Sequence, residues 1–344
     1  MTADSTDFCR KAPPDRGASS FIYPPTPANL KFFAEALKAG CIVAIPTETV
    51  YGLAAMALNP KACRSIFAIK GRPLMDPLIV HVTGREMAEE LAYVNPSFQK
   101  LAEVFWPGPL TLILKKRGTV PDIVTAGRDT VALRMPRHAA AADLLKILQS
   151  PLAAPSANPF GYVSPSLPSH VSDSFGSRVP FIIDGGPCEI GLESTILDLT
   201  GPGMPVILRP GAIGASEISK VIGLPVQSRL EVIGENIPAK APGTMARHYS
   251  PKTRLHLFEG EPAACESGAA TIYLKRPAGK DSDKDTVFWL SDSGDPAEMA
   301  RALFALLRKL DEKGFEEIRC EVPGISESGV AEAVRDRLIR AARQ

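Results

Sequence analysis

Apolar residues along the chain alternate between helical and strand-like spacing, which predicts an α/β protein. Residues 30–39 carry apolar side chains three and four positions apart, as an amphipathic helix does, and Gly40 is a suitable helix stop. The short apolar run 41–45 predicts a buried strand that ends at Pro46. By the same reasoning we expect further strands at 77–82, 110–116, 131–135, 181–184, 194–199 and 205–209, and further helices at 60–69, 85–92, 97–105 and 215–222.

A second set of elements follows a long segment without periodicity. Residues 224–252 contain scattered Pro and Gly, which is typical of a connector. Beyond it we expect strands at 254–258, 270–274, 286–290 and 316–322, and helices at 295–312 and 328–342. The chain is therefore interpreted as a flexible polar arm (1–26), a first α/β domain (27–223), the connector (224–252) and a small C-terminal α/β domain (253–344).

Composition and charge narrow the classes of function. The 344 residues carry a formal net charge of +1, so the chain has no overall electrostatic reason to bind nucleic acid or a membrane surface. None of the six cysteines is spaced as CxxC, which argues against a zinc site and indicates unpaired thiols in a reducing compartment. No segment reaches the ~18 apolar residues of a membrane span, and the N-terminus lacks the apolar core of a signal peptide. We therefore expect a cytoplasmic protein that does not bind membranes.

Charged residues of interest lie at or near the ends of predicted strands and helices. Lys70 and Arg72 follow a predicted helix, where Arg suits bidentate phosphate contacts, although the helix dipole alone also favours cations there. His81 lies in an apolar strand, where a histidine is more often a hydrogen-bonded core residue than a ligand. Arg134 lies in another apolar strand and requires an anionic partner, either an internal Asp or Glu or a substrate carboxylate.

Later segments of the chain add hydroxyl, amide, guanidinium and aromatic groups to these candidate residues. These residues are Ser156, Asn158, Ser164, Ser194, Arg209, His248 and Tyr249. Taken one at a time, ordinary turn chemistry or a surface loop explains most of them. The phosphate-binding patterns GxxxxGK[ST] and GxGxxG are absent, so side-chain cations would have to hold a nucleotide. Six polar clusters lie at 46–52 with 70–81, at 130–138, 154–165, 184–196, 208–211 and 241–251. Taken together, they predict one shared site for an anionic ligand, with chemistry that relies on positioning and electrostatics.

In their order along the chain, the clusters resemble the long, two-domain form of the YrdC-like threonylcarbamoyl-AMP synthase family. The segments that carry the resemblance are PTETVYGL (46–53), KGRP (70–73), PLIVH (77–81), WPGPLTLIL (106–114), VALRMPRH (131–138), PLAAPSAN (151–158), GLESTI (191–196), LRPG (208–211), RHYSP (247–251) and RDRLIRAA (335–342). Together they are specific, and they run from about Leu30 to the end of the chain.

The resemblance implies an open, twisted mixed sheet with a positively charged concave face, a linker that closes over the active site, and a small Rossmann-like domain. It also implies that L-threonine, bicarbonate and ATP, with Mg²⁺ on the triphosphate, give threonylcarbamoyl-AMP and pyrophosphate. A partner transferase would then move the threonylcarbamoyl group to tRNA, and the synthase itself would bind tRNA weakly at most.

The matching motifs also imply roles for individual residues. The resemblance assigns to L-threonine the residues Thr49, His81, Arg134, Ala154 and Ser194. It assigns to ATP the residues Lys70, Arg72, Asp76, Thr130, Ser156, Asn158, Ser164, Arg209, His248 and Tyr249, of which Lys70 and Arg72 would act in catalysis by offsetting phosphate charge. Asp76 departs from the family, which usually has Asn there, and Thr244 and Ala246 replace a usual Met and aromatic residue in the connector.

Two other functions share parts of this pattern. A non-catalytic RNA-binding module could use a basic concave sheet, but the near-neutral charge and the lack of interleaved aromatic and basic residues count against it. A YrdC-like domain that serves carbamoyl transfer in hydrogenase maturation would carry CxxC zinc-finger pairs, which this sequence lacks.

Overall fold

The first domain is built on a large mixed sheet. A computed structural model describes residues 8–17, 19–228, 248–260, 268–278, 286–325 and 328–343. The strands of the first domain are β1 (Ile22–Tyr23), β2 (Val43–Ile45), β3 (Gly52–Met56), β4 (Ile79–His81), β5 (Ala92–Tyr93), β6 (Leu110–Lys116), β7 (Thr130–Arg134), β8 (Leu152–Ala153), β9 (Ile182–Ile183), β10 (Thr195–Asp198), β11 (Val206–Arg209) and β12 (Gln227–Ser228). They lie in the order β1-β9-β2-β3-β8-β4-β7-β6-β10-β11-β12, and β5 pairs with β6. The sheet contains parallel pairs such as β4–β7 and antiparallel pairs such as β7–β6, so the expected mixed sheet is confirmed.

Helices cover the two faces of this sheet unequally. They are α1 (Pro27–Lys38), α2 (Pro60–Lys70), α3 (Arg85–Leu91), α4 (Pro96–Phe105), α5 (Asp122–Thr125), α6 (Ala139–Leu148), α7 (Pro168–Phe175) and α8 (Ala215–Ile222), with a short 3₁₀ turn at Gly176–Arg178. Helices α2, α3, α4, α7 and α8 pack on the face that carries Val131 and Leu133. On the other face, α1 and α6 pack only on the part of the sheet near β1, β2, β9 and β8.

Strand alternation decides what the less covered face carries. Side chains two residues apart on a strand point to the same side, so Ala132 and Arg134 of β7 lie opposite Val131 and Leu133. Ala132 packs there with Ile79, Ile113 and Ile196 in a small separate apolar cluster. Helices α1 and α6 do not cover this part of the face. Buried polar side chains from several strands can therefore meet there.

The second domain is a smaller, all-parallel structure. Its strands are β13 (Arg254–Phe258), β14 (Ala269–Lys275), β15 (Val287–Ser291) and β16 (Glu317–Glu321), in the order β13-β16-β14-β15. Its helices are α9 (Pro296–Glu312) and α10 (Gly329–Ala341). Parallel strands with crossover helices agree with the Rossmann-like unit expected from the sequence. Apolar side chains of α9 share one buried cluster with Val50, Val163 and Leu192 of the first domain, so the two domains pack directly together.

The predicted elements are found with shifts of a few residues at their ends, and several more were missed. The sequence did not predict β1, β3, β5, β8, β12, α5, α6 or α7. The connector prediction is wrong at residues 227–228, which form β12 and pair with β11 of the first domain. Two predictions about the N-terminus require correction. Residues 22–23, assigned to the flexible arm, form β1 and pair with β9. Cys9 and Cys41, expected as free thiols, form a disulfide with their Cα atoms 5.6 Å apart, because the arm folds back onto the start of the sheet.

The predicted connector and the predicted N-terminal arm lie partly outside the described residues. Most of the predicted connector, including residues 229–247 with Thr244 and Ala246, lies outside them, and so do residues 1–7 and 18 of the arm. Among the helices that are described, none is long and apolar enough to cross a membrane.

Candidate functional site

A cavity lies on the less covered face of the large sheet, at the ends of several strands. Residues from loops that are distant in sequence line it, which is the arrangement expected of a ligand site in an α/β protein. The lining residues are Thr47, Thr49, Val50, Tyr51, Gly52, Arg72, Ile79, His81, Arg134, Ala154, Pro155, Ser156, Glu193, Arg209, His248 and Tyr249. The last two belong to the predicted connector, so this segment contributes directly to the cavity wall.

Arg134 forms the centre of one end of the cavity. Its Nη2 lies 2.8 Å from Glu48 Oε1, its Nη1 donates to Thr49 Oγ1 at 2.9 Å, and its Nε donates to the carbonyl of Gly108 at 3.2 Å. Of the two partners that the sequence left open, the internal acid is therefore present. A guanidinium has five N–H groups, so about two remain for a ligand beside these three contacts.

His81 is the cross-strand neighbour of Arg134, because β4 and β7 are parallel and these two residues are in register. Burial, and then the nearby Arg134 charge, lower the pKa of His81 to about 3. The imidazole is therefore neutral at physiological pH and adds no second positive charge beside Arg134. Ala154 follows β8 on the other side of β4 and keeps this end of the cavity narrow.

Lys70 lies in the last turn of α2, as the helix-dipole interpretation allows, but both Lys70 and Arg72 are buried and bond to residues beyond the helix. Lys70 Nζ donates to the carbonyl of Ser156 at 2.5 Å and to that of Asn158. Arg72 Nη2 lies 2.9 Å from Asp76 Oδ2 and donates to the carbonyl of Pro77 at 2.7 Å. Burial, together with the Arg72 charge, lowers the pKa of Lys70 well below its usual range. These contacts hold Lys70 against the loop at 156–158 and Arg72 against the segment at 76–77.

Glu193 and Arg209 form another part of the cavity wall. Arg209 Nε donates to the carbonyl of Ser194 at 3.1 Å and Nη2 to Ser194 Oγ at 3.1 Å. Glu193 accepts a hydrogen bond from Ser164 Oγ at 2.5 Å. Burial alone would raise the pKa of Glu193, but the guanidinium groups of Arg337 and Arg209 outweigh it and hold the pKa below its ordinary value. A buried anion is thus built into the wall that also carries a buried cation.

His248 and Tyr249 are buried, although composition alone suggested a surface loop. Their rings lie 4.1 Å apart, and the left-handed backbone of Tyr249, with φ of +66°, turns its ring inward. Burial and the charges of Arg72 and Lys70 lower the pKa of His248 well below its usual value. Within the described residues, Tyr249 Oη and His248 Nδ1 have no hydrogen-bond partner. Buried polar atoms of this kind normally pair with a ligand or water.

The structure brings most of the candidate residues of the sequence to this cavity. The candidates that line it are Thr49, Arg72, His81, Arg134, Ala154, Ser156, Arg209, His248 and Tyr249. Lys70, Asp76, Asn158, Ser164 and Ser194 lie directly behind the wall and bond to lining residues or their neighbours. Thr130 is the exception, because it lies at the other end of β7 in a small depression with Thr125 and Arg128.

The sequence analysis missed several residues of the wall. Thr47 and Glu193 line the cavity, Glu48 pairs with Arg134 beside it, and Arg337 of the second domain pairs with Glu193; no role was predicted for any of the four. A signal existed for the two acids, because a buried Arg usually has an internal carboxylate partner and each acid is the only charged residue of its segment, 46–53 or 191–196. No local signal could assign Arg337 to this site, since its contacts cross between domains.

Comparisons with known proteins agree with this geometry. The family model of Sua5, YciO and YrdC proteins, described as telomere recombination, matches residues 35–211. The model described as the C-terminal domain of threonylcarbamoyl-AMP synthase matches residues 213–343. Threonylcarbamoyl-AMP synthase of Pyrococcus abyssi is 42% identical over 324 residues, which cover 91% of this chain and 94% of that protein. The chain belongs to the threonylcarbamoyl-AMP synthase family.

Other members of the synthase family extend the comparison. The Bacillus subtilis threonylcarbamoyl-AMP synthase is 38% identical, with 90% of this chain and 91% of that protein covered. The crystal structure of P. abyssi Sua5 complexed with L-threonine superposes with a TM-score of 0.82 at 40% identity, covering 91% of this chain and 94% of that chain. A solved P. abyssi variant in which a histidine and the following tyrosine are both replaced by alanine gives a TM-score of 0.81 at 35% identity, covering 94% of this chain and 96% of that chain.

Proposed function

We propose that the cavity binds L-threonine beside ATP and joins them through bicarbonate to give threonylcarbamoyl-AMP and pyrophosphate. The observation that carries the proposal is the convergence of Arg72, Arg134 and Arg209 on one cavity that is also lined by hydroxyl groups. One carboxylate substrate and one polyphosphate substrate would use these cations. Family membership supports the same activity, because the relatives that cover nearly the whole chain are threonylcarbamoyl-AMP synthases.

The end of the cavity around Arg134 suits threonine. The two N–H groups of Arg134 that remain beside its internal contacts can hold the amino-acid carboxylate. Thr49 and neutral His81 can then contact the amino and hydroxyl groups, and the Cβ of Ala154 limits the size of the side chain. We keep Ser194 as an indirect member of this set, since its hydroxyl already bonds to Thr111 at 2.7 Å and to Arg209.

The wall with Arg72 and Arg209 suits the nucleotide. In the proposed reaction the threonine amine first adds to bicarbonate with loss of water, and an oxygen of the resulting carbamate attacks the α-phosphorus of ATP while pyrophosphate leaves. Lys70, Arg72 and Arg209 would offset the charge that develops on the phosphates. Ser156, Asn158, Ser164, His248 and Tyr249 would contact or shape the nucleotide, and we retain Thr130 as a distant candidate. Residues 224–252 would close over the cavity, where a buried adenylate is protected from water.

Magnesium would enter with the nucleotide. In the described parts of the chain there is no group of three or more His, Cys, Asp or Glu side chains that could hold an ion. Asp76 is the acidic residue that fits best toward such an ion, because its buried Oδ1 lacks a hydrogen-bond partner, while Oδ2 pairs with Arg72 at 2.9 Å, and Mg²⁺ prefers oxygen ligands. The ion would supply charge neutralisation on the triphosphate, and phosphate oxygens and water would complete its coordination.

The product fits a place in tRNA modification. We propose that the adenylate passes to a transferase that moves the threonylcarbamoyl group to tRNA in the cytoplasm, and that the synthase binds tRNA weakly at most. An acyl adenylate is labile in water, so direct transfer between proteins would conserve it.

An omission assay tests the proposal. Pyrophosphate release is measured with ATP, threonine and bicarbonate together and then with each one left out in turn. We expect release to require all three and to be accompanied by a threonylcarbamoyl-AMP peak in mass spectra. Equal pyrophosphate release without threonine would contradict the proposed reaction, and tight tRNA binding without any turnover would favour an RNA-binding module instead.

A further inference from the structure

Arg337 of the second domain reaches into the first domain behind the candidate site. Its side chain is fully buried on α10, and its Nε lies 2.9 Å from Glu193 Oε2. Its Nη2 donates to the carbonyl of Pro210 at 3.0 Å, and its Nη1 pairs with Asp336 at 2.7 Å. Two of these three contacts therefore hold residues of the other domain.

Both first-domain partners of Arg337 belong to the nucleotide wall. Glu193 lines the cavity, and Pro210 directly follows Arg209, whose guanidinium also lines it. A carboxylate buried at this position would repel a polyphosphate, unless a cation behind the wall engages it. Arg337 supplies that cation from outside the cavity. The negative charge of Glu193 is therefore balanced by Arg337 as well as by the nearby Arg209.

The second domain also holds Tyr249. The Arg337 guanidinium lies 5.1 Å from the centre of the Tyr249 ring, within cation–π distance. On the same ring, Phe304 of α9 stacks with a centroid distance of 5.6 Å and an interplanar angle of 25°. One side chain from each helix of the second domain therefore packs against the Tyr249 ring, while its Oη has no hydrogen-bond partner among the described residues.

Close backbone packing fixes the helix that carries Arg337. A Cβ placed on Gly329, the first residue of α10, would lie 2.7 Å from Cα and N of Gly214 in the first domain. Only glycine allows this approach, because even one methyl group would meet backbone that cannot rotate away. The position of Arg337 behind Glu193 is therefore set by the docking of the whole helix.

We propose that Arg337 is a positioning residue through which the second domain completes the nucleotide wall, by holding Glu193 and the ring of Tyr249. The inference rests on the proposed function. It predicts that loss of Arg337 weakens ATP use selectively, because Arg337 bonds to Glu193 and Pro210 and not to Thr49, His81 or Arg134, the residues proposed to contact threonine.

The test compares Arg337→Met with Arg308→Met as a matched control. Arg308 is also a buried arginine of the second domain that bonds to the first, through the carbonyl of Val163 at 2.5 Å and Ser174 Oγ at 3.2 Å. Its Nε lies 3.4 Å from the backbone carbonyl of Ser164, but it neither lines the cavity nor bonds to the Ser164 hydroxyl or to Glu193. Three further variants are Arg337→Lys, Glu193→Gln and the double variant Arg337→Met/Glu193→Gln. The readouts are KM for ATP and for threonine, equilibrium binding of a non-hydrolysable ATP analogue, and the unfolding temperature.

We expect Arg337→Met to raise KM for ATP and weaken analogue binding by about tenfold or more, with KM for threonine changed less than about threefold. Arg308→Met should lower the unfolding temperature similarly but leave the ratio of the two KM values unchanged. The double variant should recover much of the ATP affinity, because the unpaired carboxylate is gone, and Arg337→Lys should lie between wild type and Arg337→Met.

Three results would overturn the inference: an equal effect of the two methionine variants on KM for ATP, an equal rise of both KM values in Arg337→Met, or no recovery in a folded double variant. If Arg337→Met does not fold, the double variant and Arg337→Lys decide by the same readouts. A wild-type protein without threonine-dependent turnover would contradict the proposed function instead, and analogue binding by the variants would still test the role of Arg337.

Discussion

The two domains place their buried charges differently. In the first domain, buried charged groups such as Arg134, Arg209 and Glu193 lie on strands or on the loops at their ends, and they surround a cavity. In the described part of the second domain, the buried charged residues are Arg308, Asp336, Arg337 and Arg340, and all of them lie on α9 and α10. Small parallel sheets commonly bind ligands at the carboxyl ends of their strands. Here the charge lies on the two helices, from which Arg308 and Arg337 bond to the first domain, as the proposed role of Arg337 requires.

The largest effect is expected from Arg134→Ala, which tests the charge distribution of the first domain directly. KM for threonine should rise by about a hundredfold, with a much smaller change in KM for ATP, because a charged bidentate contact to the carboxylate is lost. The variant should also unfold more easily, since Glu48 is left buried without its 2.8 Å partner.

Arg137→Ala is the control for this prediction, because Arg137 lies three residues further on and its side chain pairs at the surface with Glu189 at 2.8 Å. Its kinetic constants should match those of the wild type. Equal rises in both KM values for Arg134→Ala would remove Arg134 from its proposed role at the carboxylate.

A second, smaller effect is expected where the second domain presses on the loop that leads to Glu193. A Cβ on Gly191 would lie 2.7 Å from the carbonyl oxygen of Ala300 and from Cα of Arg301, both on α9. Gly191→Ala should therefore displace the domains, lower the free energy of unfolding by about 1–3 kcal/mol and raise KM for ATP several-fold.

Gly186→Ala is a matched control, since Gly186 has a similar positive φ of +69° but nothing within 4 Å of an added Cβ. It carries the same backbone strain without the contact between domains. If the two variants lose equal stability and equal ATP affinity, docking of the second domain has no bearing on the wall.

A third effect concerns pH and the neutral histidine of the first domain. The folded pKa of His81 is about 3, below its ordinary value of 6.5, so the unfolded chain binds the proton more readily. The stability that His81 contributes is present above pH 6.5 and is lost as the pH falls toward 3, by up to about 1.4 kcal/mol per pH unit.

Urea unfolding at pH 7 and at pH 4.5 measures this contribution. The pKa values of Glu48 and Glu193 are also depressed in the fold, so acid lowers wild-type stability through them as well. His81→Gln should show a shallower loss of stability than the wild type, whereas the same substitution at His256, which is exposed on a strand of the second domain, should not. A slope unchanged by His81→Gln would show that its burial has no stability cost.

The smallest effect on catalysis is expected at the disulfide. Cys9→Ser opens the Cys9–Cys41 bond, which lies on the side of the sheet packed by α1, away from the cavity residues. Stability should fall by at most about 3 kcal/mol, while kcat and both KM values should stay within about twofold. Reduced wild type should behave like Cys9→Ser in unfolding and turnover. A large loss of turnover would link the arm to the site.

Regular elements were predictable where one period dominates. The strand at 110–116 and the helix at 215–222 were predicted with their observed bounds, because the apolar spacing and the flanking Pro and Gly agree. Helix α6 was missed although the local signal was present: four of its ten residues are alanines, which favour helices, and its buried positions have helical spacing. Strand β3 was missed because glycine and alanine in GLAAM have weak strand preference, and pairing with β2 and β8 decides its conformation.

Most residues of the site were predictable from the sequence, but their contacts with one another were not. Motif resemblance named most of the lining residues, yet it did not reveal that Arg134 shares its charge with Glu48 or that Arg72 pairs with Asp76. Arg72 and Asp76 are only four residues apart, whereas Glu48 and Arg134 are distant in sequence and meet because the strand order brings their segments to one edge. Local sequence carries no record of that distance.

The sequence by itself determined the elements, their apolar faces and the kinds of polar groups available at their ends, because these depend on short-range periodicity and residue chemistry. Only the tertiary structure decided which charges meet, since Glu48 with Arg134, Glu193 with Arg337 and Cys9 with Cys41 are brought together by strand order and domain docking. Coulombic and covalent contacts act over a few ångströms in space, irrespective of separation along the chain, so the partner of a buried charge is a property of the fold.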